Sequence, residues 1–148
     1  MSQRANAIAT GLGLYVALVI AFYVLHRLAF GNTGGPYPIW YSAGELIFNA
    51  AKAVIPGAAV GWLCRVRAAR SGAIVGGIGG LIEVLMFGVL TGVPFSEFPG
   101  RMTVATVVTA LTSAFTNAIG GAAGVFLRDT KPSNNSMHPT GRERPAAD

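Results

Sequence analysis

Four side chains able to carry charge or strong hydrogen bonds stand inside otherwise apolar runs. Glu45, Asn49 and Lys52 lie in "YSAGELIFNAAKAVIPGAAVGW" (residues 41–62), and Glu83 in "SGAIVGGIGGLIEVLMFGVLTG" (71–92). On a helix, at 100° per residue, Ser42, Glu45, Asn49 and Lys52 fall within about 80° of arc, a single polar stripe. Carboxylates and an ammonium so placed suit two kinds of work. They bind a proton or cation along a path through a membrane, or they neutralise each other and fix how helices pair.

The energetics require a partner for this stripe. A Lys or an acid at the centre of a membrane helix costs about 2.5–3.5 kcal/mol on the insertion scale, while each Leu, Ile, Phe or Val returns about 0.3–0.6. Leu46, Ile47, Phe48, Val54, Ile55 and Val60 together return roughly 3 kcal/mol, less than Glu45 and Lys52 cost. Glu83 is the natural partner. Gly72, Gly76 and Gly80 form a G-x-x-x-G-x-x-x-G series of the glycine-zipper kind, and Glu83 shares their arc. Small residues at that spacing admit a neighbouring helix closely, so Glu83 faces a helix contact and pairs with Lys52 at similar depth. Pro56 cannot donate to the Lys52 carbonyl, which leaves a further polar group one turn away. The last apolar run carries Thr106, Thr109, Ser113, Thr116, Gly120 and Gly124 on one stripe, with Asn117 beside it. Gly120 and Gly124 join the packing glycines, and Asn117 joins the polar site.

The elements that must position these groups are membrane helices. The 148-residue chain is 52% hydrophobic and 11% charged, far below the roughly 25% charge of a soluble domain. Four apolar segments, about 5–30, 39–63, 73–93 and 103–127, each reach the roughly 20 residues needed to cross a bilayer. The first is too long for a signal-peptide core, and no small-x-small cleavage site follows it. The fold class is therefore an all-α integral membrane protein, with a four-helix domain over 1–128. The N-terminus, second loop and tail hold Arg4, Arg65, Arg67, Arg70, Arg128, Lys131, Arg142 and Arg144, whereas the first and third loops hold Arg27 and Arg101. The positive-inside rule then puts both termini in the cytoplasm. Trp40 and Trp62 bracket the second span at the depth of an aromatic belt.

The halves echo each other. "TGGPYPIW" (33–40) matches "TGVPFSEF" (91–98), "IPGAAVGWLCR" (55–65) matches "IGGAAGVFLR" (119–128), and "FYVL" (22–25) aligns with "FGVL" (87–90). The offset is 58 in the loop and 64 to 65 in the spans. This predicts two tandem helical hairpins related about an axis along the membrane normal. Residues 129–148 are rich in Pro, Asn, Ser and charge, without apolar periodicity, and are expected to form a disordered cytoplasmic tail. "KPSNNSMHPTGRERPAAD" resembles short repeated tails appended to unrelated bacterial reading frames, a resemblance that bears on the tail and not on the membrane part; the expected location is a bacterial inner membrane.

Several chemistries are not expected. H-E-x-x-H, G-x-S-x-G and a phosphate loop are missing, and "GGIGG" has no strand before it. The single Cys64 makes neither a disulfide nor a Cys cluster and reads as a packing residue. The basic residues cluster at span ends rather than in one nucleic-acid patch. No enzyme, cofactor, metal site or nucleic-acid partner is therefore predicted. The leading expectation is a small transport or channel protein in the lipid bilayer, using Glu83 or Glu45 as its carboxylate. Four helices enclose little volume, so such a protein would work as a homo-oligomer on a small solute or ion. The other expectation is a scaffold whose polar residues only fix helix packing.

Overall fold

A computed structural model describes residues 3–30, 39–91 and 99–130. Every described element is an α-helix: α1 (Gln3–Phe30), α2 (Ile39–Leu63), α3 (Ala68–Thr91) and α4 (Pro99–Asp129). The shortest has 24 residues, about 36 Å at 1.5 Å per residue, enough for a hydrocarbon core of roughly 30 Å. All four are long and apolar enough to cross a membrane, and the chain is an all-α multi-pass membrane protein. The helices outrun the apolar segments: α3 begins at Ala68 rather than 73, and α4 runs from Pro99 rather than 103 to Asp129. Apolar composition marks the hydrocarbon boundary, whereas backbone hydrogen bonding carries a helix on into polar residues. Pro99 suits its place, since the first helical position needs no N–H partner. The paired T-G-x-P motifs fall largely, and the tail from 131 onward entirely, outside the described residues.

Short connections alternate the helix direction. The start of α1 lies at the end of α2, where Gln3 Nε2 donates to the Leu63 carbonyl at 3.1 Å. It also lies at the start of α3, where Arg4 Nε donates to Ser71 Oγ at 3.1 Å. The end of α4 joins them, as Arg128 Nη1 donates to the Trp62 carbonyl at 2.8 Å and Arg65 pairs with Asp129. Arginines thus gather at one end of the bundle. The α2–α3 turn there holds Arg67 at φ 55°, a left-handed conformation that a side chain disfavours by about 1–2 kcal/mol.

Glycine decides which helices meet. A Cβ at Gly72, Gly76 or Gly80 would strike the backbone of α4 at Asn117, Ser113 or Ala110, so the α3–α4 contact is the most extensive in the bundle. The α2–α4 contact is reciprocal. Gly57 lies on Asn117 and Gly61 on Gly121, while Gly120 lies on Val54 and Gly124 on Ala58. One shift of 63 residues carries Gly57 to Gly120, Val54 to Asn117, Ala58 to Gly121 and Gly61 to Gly124. A two-fold seam between parallel, G-x-x-x-G-bearing helices therefore joins the two hairpins. Its register differs by one residue from the sequence match, because contact follows the glycine spacing rather than the string of identities. Gly57 and Gly61 were not anticipated as packing glycines.

Burial is lopsided. Ala7, Val60, Cys64 and Val75 form a core near the arginine-rich end, with Ile8 and Leu12 packed against it. Towards the other end, none of the described residues of α1 beyond Tyr15, of α2 before Pro56 or of α4 before Asn117 is buried. Among the described residues, α3 alone keeps buried positions there, such as Gly80, Val84 and Gly88. Among described residues no Cα of α1 comes within 8 Å of α4. The bundle is closed at the arginine-rich end and looser at the opposite one.

Candidate functional site

Where the close packing gives out, polar groups from all four helices meet. Lys52 of α2 forms an ion pair with Glu83 Oε1 of α3. Tyr15 of α1 donates its hydroxyl to Glu83 Oε2 at 2.8 Å, and its oxygen lies 3.0 Å from Ser113 Oγ of α4. The tyrosine proton is committed to the carboxylate, so Ser113 is the donor in the second bond. The Ser113 carbonyl accepts from Asn117 Nδ2 at 3.0 Å, and Asn117 Oδ1 accepts from the Gly57 N–H of α2 at 2.9 Å. The circuit runs from α2 through α3, α1 and α4 and returns to α2.

Each position has a local cause. Tyr15 is fully buried because Gly79 of α3 leaves room for its ring; a Cβ at Gly79 would come within 2.7 Å of that ring. α1 stands away from α4, so only a long side chain with a polar tip bridges the gap, and Tyr15 is that side chain. Asn117 is 0% exposed and lies in the α2–α4 seam, where Gly57 lets the amide reach backbone. Pro56 lies inside α2 and leaves the Lys52 carbonyl without its usual donor. No buried side-chain nitrogen or oxygen among the described residues lacks a hydrogen-bond partner.

Depth and exposure give the site its character. Lys52 sits ten residues from Ser42 and eleven from Leu63, the limits of its apolar span. At 1.5 Å per residue it is about 15 Å from either end, the middle of its apolar span. The Lys52 side chain is 13% exposed and that of Glu83 24%. A carboxylate is chemically able to accept a proton or a cation, and here its charge is balanced by the Lys52 ammonium.

The structure brings Lys52 and Glu83 together and separates the other sequence-predicted site residues. Asn117 does not face the Lys52 stripe; it serves Gly57, further towards the arginine-rich end. Asn49 is half-buried, one turn from Lys52. Glu45 is exposed, seven residues from Lys52 towards the other end, so Glu83 rather than Glu45 is the carboxylate at mid-depth. Tyr15 and Ser113 enter as site members. Tyr15 reads in sequence as the polar tip of a plain apolar helix, and only its spacing from Gly11, a one-turn step along the buried face, hints at its role. Gly72, Gly76, Gly80, Gly120 and Gly124 all lie against helix backbone. Cys64 is buried, with its thiol directed at the Val66 carbonyl at 3.5 Å. Among the described residues no three His, Cys, Asp or Glu side chains gather. No known protein family, curated protein or solved structure matches the chain.

Proposed function

We propose that the chain is a small transport or channel protein of a bacterial inner membrane, in which Glu83 is the proton- or cation-binding carboxylate and Lys52 its internal counter-ion. The arginine-rich end, with both termini, would face the cytoplasm. The supporting observation is the position of the ion pair: mid-depth, with Glu83 a quarter exposed, where the tightly packed half of the bundle ends. Intramembrane ionisable groups are costly, and a pair used only as a fastener is often matched by apolar residues of the same volume. In this reading a proton or cation reaches Glu83 from the looser, outer end. Tyr15 holds Oε2, so exchange occurs at Oε1, where the incoming ion displaces the Lys52 ammonium. Asn49, one turn away, offers the displaced ammonium a polar neighbour. Four helices leave little room for a continuous pore, so the working unit would be a homo-oligomer moving a small solute or ion. The reading assigns no bond-making chemistry to the chain.

A second reading, a scaffold whose polar residues only fix packing, is favoured by one observation: the circuit closes within one chain, and no buried side-chain nitrogen or oxygen among the described residues lacks a hydrogen-bond partner. Proteoliposomes separate the two. With a pH-sensitive dye inside, and sodium or potassium gradients imposed, the transport reading expects flux that Glu83→Gln abolishes and Glu45→Gln spares. Absence of wild-type flux under all three gradients would leave the scaffold reading.

A further inference from the structure

We propose that the arginine-rich end is a binding site for the phosphate of an anionic phospholipid, formed by Arg4, Arg67 and Arg70 around the first turn of α3. Five arginines occupy this end, and their partners divide them. Arg65 is taken by Asp129 and Arg128 by the Trp62 carbonyl. Arg67 and Arg70 are exposed, and their guanidinium groups make no ion pair or hydrogen bond with any described residue. Arg4 reaches across from α1 and donates through Nε to Ser71, a fully buried residue next to Arg70. That bond brings a third guanidinium to the same turn and leaves its terminal nitrogens uncommitted. The first turn of α3 has no acidic residue, and among the described residues the acid at this end, Asp129, is paired with Arg65.

The surroundings point to a lipid rather than a free anion. The apolar run of α3 begins at about residue 73, after Arg67 and Arg70, so both stand at headgroup depth. Beside them, on the last turn of α2 and the connecting turn, Trp62, Leu63 and Val66 are 41%, 40% and 70% exposed. An anionic lipid sets its phosphate among guanidinia, which bind phosphate through paired N–H donors, and lays its acyl chains on these apolar side chains. Arg67 also holds a left-handed backbone, a strained geometry of the kind that gathers at binding positions.

The test is native mass spectrometry of the full-length protein in detergent, with added diphosphatidylglycerol or phosphatidylcholine. Wild type should retain the anionic lipid selectively, and retention should fall as salt rises. Arg67→Gln/Arg70→Gln should lose about thirtyfold in retention, from roughly fivefold per basic residue, while keeping its lipid-free melting temperature. Arg65→Gln should lose less. Equal retention by the double variant, equal retention of phosphatidylcholine or insensitivity to salt would each overturn the site. Displacement of the lipid by millimolar inorganic phosphate would show a phosphate site without lipid recognition, and would equally overturn it.

Discussion

Neutralising Lys52 and Glu83 singly and together tests the centre of the site, and the structure sets the sizes expected. Removing one partner of a fully buried ion pair costs about 3–5 kcal/mol, because the other charge is stranded. Here the Lys52 and Glu83 side chains are 13% and 24% exposed, and Tyr15 still donates to the carboxylate when Lys52 is gone. Partial exposure reduces both penalties, and the Tyr15 bond further relieves Lys52→Met, to about 2 kcal/mol for either single change. The double variant strands nothing. Met keeps the volume of the lysine stem, and Gln keeps an acceptor for the Tyr15 hydroxyl. It should lie within about 1 kcal/mol of wild type, giving a coupling energy near 3 kcal/mol, the upper end for neighbouring residues. The assay is reversible unfolding in mixed micelles with increasing denaturing detergent, followed by circular dichroism. A coupling below about 1 kcal/mol, with both singles nearly as stable as wild type, would refute the reasoning. The two groups would then be hydrated separately rather than paired in a dry interior.

Two further predictions follow from the same geometry. Gly61→Ala and Gly124→Ala each place a methyl on the backbone of the opposing helix and should cost about 3 kcal/mol or more, whereas Gly13→Ala and Gly44→Ala meet nothing within 4 Å and should be neutral or up to about 1 kcal/mol stabilising; the same unfolding assay ranks them, and equal costs would dismiss the two-fold seam. Tyr15→Phe removes one donor from Glu83 and the acceptor of Ser113 while keeping the ring in its Gly79 hollow, so it should cost about 1–2 kcal/mol. That loss should shrink when Glu83→Gln is already present, since the acceptor is then neutral; strict additivity would show that Tyr15 contributes through its ring alone.

How much was legible in the chain depended on how local each signal was. Helix number followed from apolar run length, because a bilayer of fixed thickness demands about 20 residues per crossing. The juxtaposition of Lys52 and Glu83 was readable because each residue is an energetic anomaly in its own run, and two anomalies at similar depth on adjoining helices resolve each other. Helix ends were less readable, since Ala68 and Pro99 begin helices in polar surroundings that hydropathy excludes. The role of Tyr15 was hidden for a different reason. It depends on a gap between α1 and α4 and on the space left by Gly79, neither of which any local pattern encodes. Gly57 and Gly61 have the spacing of Gly120 and Gly124, but Pro56 beside them interrupts the helical hydrogen bonding of the same stretch and so obscures a packing face. Asn117 and Glu45 looked alike as polar intrusions, and only tertiary placement separates a buried amide that serves backbone from a carboxylate at an exposed helix end.

The two-fold seam also explains where the chemistry sits. A shift of 63 residues carries the packing glycines of α2 onto those of α4, and it carries Lys52 onto Phe115. If the hairpins were fully equivalent, Phe115 would face α1 as Lys52 faces α3. It does not, because α1 carries no run of glycines like Gly72, Gly76 and Gly80 and stands clear of α4, so Phe115 is 68% exposed. The same shift pairs Asn117 with Val54, another polar group with an apolar counterpart. Packing is shared between the halves and polarity is not. Lys52 is tolerated because the glycine face of α3 brings Glu83 against α2, and Ser113 is reached because Tyr15 spans the space that the missing α1–α4 contact leaves. The ionisable site thus occupies the place where the bundle departs from its own symmetry.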